Sequence, residues 1–442
     1  MSMAVNHLPV LTWNHLKLNN ETLETGSISE KVSNGLLSEP INLKLPQGVR
    51  RERVSSGQLS DYIEGIGVQN PKEAVVAGKF PIYNRQRFAT GMGKDVDDLL
   101  EELDADIITV EPGFSSEQAI KMQHSFADGK GGFSKLLIHA KAGTRSTFIL
   151  HLFAMPRECD FLKECGRCLE QKELAQLKSG VESRPEKTTE GETKAAQTQQ
   201  IPQAAGSSEN TKADNVKPLP LVGMQTYLYL EEGAEVHFHV VQMLEKKSVF
   251  FHDIGVYENK KSSLTMTKLD LGALTVYEGL NNLQSGDESF FDMDFGFLGL
   301  PDSSMDINYN DVFVGKKANG RMYFKEALLG NAKKTFRGTL DFRQYSTASV
   351  GDEQEDVILL GEDIVNKTIP LILCEEEDVD GRHAATIGSL SDDMLFYMQT
   401  RGISKRKAEE LMVRASLQHI SSLVPSESIK KAVVNDICRV FE

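Results

Sequence analysis

The stretch EEEDVDGRHAATIGSL, residues 375 to 390, sets one histidine, His383, behind four acids, Glu375 to Asp378, and ahead of small residues that include Ala384, Ala385 and Gly388. Where strand-like sequence turns helical, such an imidazole can act as a base, a metal ligand or a packing residue. The stretch alone leaves all three open. His237 and His239, in GAEVHFH, lie two apart on a predicted strand and so share a face. Cupin-type metal sites use that spacing, completed by a carboxylate at a set distance and a third histidine on a later strand. Here Glu245 is too far along and His252 sits in a different pattern. Cys159, Cys165 and Cys168, in CDFLKECGRC, include a C-x-x-C pair. A structural zinc site wants four ligands, and the closest histidine is His151. A thioredoxin-like pair would open a helix beside a βαβ unit, which strand-rich surroundings do not offer. These cysteines read as ordinary thiols.

Other chemistries lack their residues. The sequence holds no G-x-x-x-x-G-K-[ST] loop, no G-x-S-x-G and no H-E-x-x-H, and GMGKDVDD (91 to 98) has no apolar strand before it. Lys plus Arg is 49 and Asp plus Glu is 64, giving a formal net charge of −15. That balance argues against nucleic acid or an anionic membrane as the main partner, since both favour basic surfaces. The opening MSMAVNHLPVLTWNHLKLNN does not read as a signal peptide, and no segment has the ~20 apolar residues of a membrane span. An odd five cysteines in 442 residues do not make a disulfide framework. The expected location is cytoplasmic.

The elements that must position these residues fall into three regions. Residues 1–105 form a mixed and helical region, with DVDDLLEELDAD (95 to 106) as its clearest helix, Leu99, Leu100 and Leu103 on one side. Residues 106–390 are strand-rich: SKLLIHA, STFILHLF, TYLYLEEG and AEVHFHVVQML alternate β-branched and aromatic residues. Gly320, Gly330, Gly338, Gly351 and Gly361 suggest turns about every ten residues, while hairpin dipeptides are few: Asn319-Gly320, Asp128-Gly129 and Asp380-Gly381. Regular strands with few tight hairpins point to a parallel β-helix. A disordered insertion at about 170–217 interrupts it; from Glu182 to Asn215 its only large apolar residue is Ile201. Residues 391–442 read as a small helical domain. Ser391 caps its first helix, Asp392 and Asp393 suit the N-terminal end, and Arg401 with Gly402 suits the C-terminal end. A second helix from about Lys405 carries Ala408, Leu411, Met412 and Ala415 on one stripe. A third, capped by Ser426, carries Ile429, Val433, Ile437 and Val440.

The C-terminal third, EEEDVDGRHAATIGSLSDDMLFYMQTRGISKRKAEELMVRASL, closely resembles the signature of the SufB/SufD family of iron–sulfur cluster assembly proteins. Its elements are Asp378-Val379, His383 with Ala384 to Gly388, Leu395-Phe396-Tyr397, Arg401-Gly402-Ile403 and Ala408-Glu409-Glu410. Upstream, KEALLGNAKKTFRGTLDF (325 to 342) resembles the family's strand segment ending in Phe-x-Gly, and LPVLTWNHLKLN resembles the start of SufD-type chains. The small residue after the histidine is similar to SufD, where SufB usually has Glu. The resemblance implies a mainly β fold, a right-handed parallel β-helix core between an N-terminal mixed and helical region and a small C-terminal helical domain. It implies a non-catalytic scaffold subunit of a SufBCD-type complex that assembles iron–sulfur clusters for apoproteins. A SufB-type subunit would pair through the β-helix, and a SufC-type ATPase, which would hold the ATPase activity, through the helical domain at Phe396, Tyr397, Arg401 and Gly402. The cluster would be transient at the complex interface, with none tightly bound to the isolated chain. His383 would be a ligand near the SufB interface, and Cys374 could lend a thiolate. Two positions depart from the family: Gly381 stands where many SufD chains carry cysteine, and INYNDVFVG, with Tyr309, replaces the common Asn-His segment. The competing reading is a metal-dependent β-fold enzyme of cupin or lyase type using His237 and His239.

Overall fold

Alternation of apolar and polar residues builds nearly everything in the chain. In the strand Glu235–Met243, Val236, Phe238 and Val240 turn into the core while His237 and His239 turn out. The computed structural model describes residues 2–8, 18–24, 45–66, 89–127, 131–155 and 219–442. Cys159, Cys165, Cys168, Asp128-Gly129 and the expected insertion lie outside the described residues.

Two sheets share the strands alternately. The nine-stranded sheet holds β3 (Val49–Val54), β4 (Ala105–Val110), β6 (Gly132–Ala140), β8 (Leu221–Leu230), β10 (Val249–Glu258), β12 (Thr275–Gln284), β14 (Ser304–Phe313), β16 (Lys333–Phe342) and β18 (Val365–Cys374). The eight-stranded sheet holds β5 (Ile120–Ala127), β7 (Arg145–Met155), β9 (Glu235–Met243), β11 (Ser263–Asp270), β13 (Phe290–Gly299), β15 (Asn319–Leu329), β17 (Ser349–Leu360) and β19 (Val379–Ser389). A small hairpin, β1 (Ser2–Val5) with β2 (Glu21–Glu24), stands apart. Successive strands of each large sheet pair in parallel, except that β3 runs antiparallel to β4. The result is a mainly β molecule, a parallel β-solenoid of about 7 turns with helices towards both termini. One turn takes 26 residues where Val249 pairs with Thr275 and 32 where Lys333 pairs with Val365.

The glycines need a correction. Gly330, at φ +66°, and Gly361 do sit at corners, but Gly320, Gly338 and Gly351 lie inside strands. They face the lumen and make room for larger neighbours: a Cβ on Gly351 would meet Phe342, Leu340 and Phe313 at 3.0 to 3.1 Å. Asn319-Gly320 opens β15 and Asp380-Gly381 lies in β19, so neither is a hairpin turn.

A continuous apolar column fills the lumen, including Phe148, Phe238, Phe250, Phe291, Phe295, Phe324 and Phe336, all fully buried. Burying each such ring contributes roughly 1.5–3 kcal/mol. The nine-stranded sheet is covered outside by N-terminal segments. The helix Ser56–Gly65 starts in a capping box of Ser55 and Gln58 and buries Leu59 and Ile63 against Ile107, Leu137, Tyr227 and Tyr229. His139 latches it, with Tyr62 Oη 2.8 Å from Nδ1 and Glu231 Oε1 2.7 Å from Nε2. The helix at 95–106 is shorter than expected, Lys94–Leu99, because β4 starts at Ala105; Leu100 and Leu103 are buried beyond its end.

The eight-stranded sheet is covered by the helices Lys405–Leu423 and Glu427–Val440. Val413, Leu417, Ile420, Val424, Ile429, Val433 and Ile437 pack on an apolar strip that includes Val241, Leu269, Leu298 and Leu329. The second helix therefore turns a different stripe inward from the expected one: Ala408 is buried, Leu411 and Met412 are half-buried and Ala415 is exposed. Val413, Leu417 and Ile420, with Val424 just past the helix end, match the sheet's strip better than the smaller alanine stripe. Ser391 caps the helix Asp392–Thr400, accepting from the Met394 N–H at 3.2 Å. Ser426 holds the cap position of the third helix, but its hydroxyl meets Ser428 instead of the helix backbone.

Candidate functional site

The last turn of the solenoid, β18 and β19, ends both sheets, and among the described residues neither strand is paired on its outer side. Its acidic corner is clipped to the turn before it: the Glu376 carboxylate accepts from the Tyr345 N–H at 2.9 Å, and the Ala348 N–H donates to the Asp378 carbonyl at 2.6 Å. The Tyr345 N–H first, with the N–H groups of Glu377 and Asp378, holds the Glu376 carboxyl below the usual range. From this corner β19 runs along β17, with Gly381 beside Gly351 and His383 beside Glu353. A Cβ on Gly381 would come within 2.9 Å of Phe342 and 3.1 Å of Ile372, so position 381 faces the lumen. Two residues on, His383 belongs to the same face, at the mouth, and is exposed.

Directly beneath His383 is Glu353, 3 % exposed. Its carboxylate lies against Gly338, where a Cβ would sit 2.1 Å from Oε2; any larger residue at 338 would displace it. Oε2 has no hydrogen-bond partner among the described residues. Burial first, then the neighbouring Glu355 charge, pushes the Glu353 carboxyl up to about 8. Beside it Lys334, fully buried, is held by both Glu326 and Glu355. Deeper in the lumen, Lys268 meets Glu278 at 2.6 Å and His252 Nδ1 at 3.2 Å, and Tyr309 Oη donates to Glu278 at 3.2 Å. Buried charges of this kind are tolerated when paired.

Cys374 ends β18 in register with the lumen-facing Phe342 and is exposed. Because Gly381 is the residue that meets Ile372, Cys374 lies nearer the corner than His383 does, and the two are not brought together. Burial and Asp341 raise the Cys374 thiol, which disfavours a ready thiolate. His237 and His239 share the outer face of β9 as their spacing predicts. Their register neighbours are Thr265 and Thr267 on one side and Thr147 and Ile149 on the other. His237 Nε2 is 2.9 Å from Glu235, and burial brings His239 down to about 4. Among the described residues no three His, Cys, Asp or Glu side chains are grouped to hold a metal ion.

Beyond β19 the helix Asp392–Thr400 buries none of its residues. Met394, Phe396 and Tyr397 are exposed, as is Ile387 on β19, and Phe396 is 69 % exposed. The Arg401 guanidinium lies 4.9 Å over the Tyr397 ring, and Gly402, at φ +80°, turns the chain toward the next helix. A helix with apolar residues and no buried face carries surface that a folded partner would cover. Among the described residues no helix is long and apolar enough to cross a membrane.

Sequence reasoning passed over Glu353. The signal was the alternation Gly351, Glu353, Glu355, Val357 in SVGDEQEDVILL, which puts two acids on one face of a strand; the pattern does not say that this face is the inner one. The Phe-x-Gly of Phe336-Arg337-Gly338 was noted without a role, and the structure supplies one.

Residues 206–416 match the family model described as the SUF system FeS cluster assembly, SufBD core domain. The chain is 26% identical to the iron–sulfur cluster assembly protein SufD of Bacillus subtilis over 165 residues, 37% of this chain and 38% of that one. It is 21% identical over 208 residues to a chloroplastic SufBD family protein of Arabidopsis thaliana, 45% of this chain and 37% of that one. With SufD of Escherichia coli it shares 24% over 116 residues, 26% of this chain and 27% of that one. The matches thus cover less than two fifths of each of these relatives. The core model over residues 206–416, the SufD and SufBD relatives and the parallel solenoid agree: the chain carries a SufBD core domain and is similar to the SufB/SufD family of iron–sulfur cluster assembly proteins, SufD among them.

Proposed function

We propose that the chain is a non-catalytic scaffold subunit of a SufBCD-type complex, in which a nascent iron–sulfur cluster forms at the mouth of the solenoid. The observation that carries this reading is the last turn. The lumen-facing His383 and Cys374 stand exposed there, beside two free sheet edges and a helix with no buried residue. An exposed edge is an invitation to pair with another chain, and a SufB-type subunit is the occupant the family suggests. A SufC-type ATPase docks on the helical domain at Phe396, Tyr397, Arg401 and Gly402. The cluster is cargo, not a resident group. Neutral imidazole suits iron, so His383 supplies one ligand, and Cys374, its thiol raised, a weaker second. The rest of the coordination comes from the partner. A cytoplasmic location is part of the same reading.

The test is co-expression with SufB- and SufC-type proteins of the same organism, followed by native mass. One assembly containing all three, in which His383→Ala keeps the mass and loses cluster formation, is the expected result. A chain that stays alone and carries its own metal overturns the reading.

A further inference from the structure

The carboxylates at the mouth outnumber the cations available to them. Lys334 is the buried ammonium of this turn, and Glu326 and Glu355 both hold it. Glu353, on the same inward face of β17 as Glu355, is only 3 % exposed, and its Oε2 has no hydrogen-bond partner among the described residues. One oxygen of each of the three carboxylates, Glu326 Oε1, Glu353 Oε2 and Glu355 Oε2, is buried without a partner. A buried carboxylate oxygen left without a donor is costly. Gly338 nonetheless keeps the space that holds Glu353 in this place, one register step below His383.

We infer that the mouth is a half-site for a divalent first-row cation, with the Glu353 carboxylate and the His383 imidazole as its two protein ligands. The donor set selects the ion class. One oxygen and one imidazole nitrogen suit Fe(II), Mn(II) or Co(II), and they suit soft Cu(I) poorly. Access comes from the exposed side, past His383, while Lys334 is already neutralised by two carboxylates and so does not repel the ion. Two ligands make an open site, with room for water or for donors from a partner, and this agrees with the absence of any three-residue group among the described residues. The inference rests on the reading of His383 as a ligand and adds to it a residue from the wall beneath, 30 positions earlier in the chain.

The experiment is equilibrium dialysis of the full chain against Fe(II) under argon, with Co(II) visible absorption as the report on ligand type. About one ion per chain is expected. Glu353→Gln and His383→Ala should each weaken binding on the order of tenfold or more. Gly338→Ala, which alters neither ligand residue but pushes the Glu353 carboxylate aside, should weaken it too, and Glu362→Gln on an exposed corner should not. Far-UV circular dichroism and the melting temperature verify that each variant folds, and Gly338→Ala stands in if Glu353→Gln does not. If Glu353→Gln binds like the parent, the inference falls, even where His383→Ala abolishes binding and the ligand role of His383 stands. Failure of the parent chain to bind either ion also overturns it, while cluster formation in the co-expressed assembly still judges His383 separately. Loss of binding only in Glu353→Gln sinks the shared site and the ligand role together.

Discussion

The two ends of the solenoid use the same inward positions to opposite effect. On β5 the lumen-facing Ile120, Met122, His124 and Phe126 are all buried, and β4 beside it is buried along its whole length. On β19 the lumen-facing His383, Ala385 and Ile387 are exposed. At the first end the antiparallel β3 is laid on β4, with Asp106 bonded by Arg51 at 3.0 Å and by Arg53 at 2.9 Å. At the last end no strand follows β19 and a helix without a buried residue leads away. Free edges are normally blunted by charge, proline or a covering element. At the first end one sheet is extended by β3 and the inward positions are buried, whereas at the last end the inward positions of β19 stand exposed.

The sharpest way to break this comparison is truncation inside the column at each end. Phe148→Ala on β7 should cost about 3–5 kcal/mol, read as a fall in the denaturation midpoint, because the cavity cannot collapse. Ile387→Ala on β19 should change stability by about 0.5 kcal/mol or less in the isolated chain. Equal losses would mean that the open end is as tightly packed as the closed one.

Acid sharpens it next. His124 and His151, both towards the first end, are brought down to about 4 by burial, from an ordinary imidazole value near 6.5. Their neutral forms favour the fold, so the stability they lend is complete above about pH 6.5 and is lost as pH falls toward 4. Both ring nitrogens of His151 lack partners among the described residues, so a phenyl ring can take its place. His151→Phe should therefore gain on the parent by about 3 kcal/mol at pH 4 and show little difference at pH 8, in urea titrations at the two pH values. An unchanged difference across pH would refute the assignment. Ser55→Ala, which removes the capping box of the helix latched over the first turns, should cost about 1 kcal/mol in the same assay. The smallest stability effect belongs to the mouth: His383→Ala should shift the melting midpoint of the isolated chain by no more than about 0.5 kcal/mol equivalent. A large shift would make His383 a packing residue.

Much of this was legible in the residues. Strand texture, scarce hairpins and the caps at Ser391 and Gly402 were readable because each is a local property. The stripe Ile429, Val433, Ile437 was read correctly, but the preceding helix was misassigned: both of its stripes obey helical spacing, and only the sheet underneath decides between them. The inner glycines read as turns in the sequence because a residue chosen for lack of a side chain looks the same at a corner and beside a phenylalanine. The pairing of Glu353 with His383 was out of reach. It depends on the residue count of one full turn, which is 26 at one place, 32 at another and 90 where Gly132 pairs with Val222, and a single-residue slip would send one of the two outward.

The parallel register carries a consequence for how this chain tolerates length. Met155 ends β7 and Leu221 begins β8, yet Gly132 pairs with Val222 and Arg145 with Glu235 as though the corner between them were short. In a lattice where each rung is templated by the one below, corner length is a free variable. Closing a loop costs only about 0.6 kcal/mol for each doubling of its length. Corners of the solenoid are therefore sites where sequence can be added without renumbering the lattice, whereas a residue added within a strand would turn the later side chains of that strand inside out.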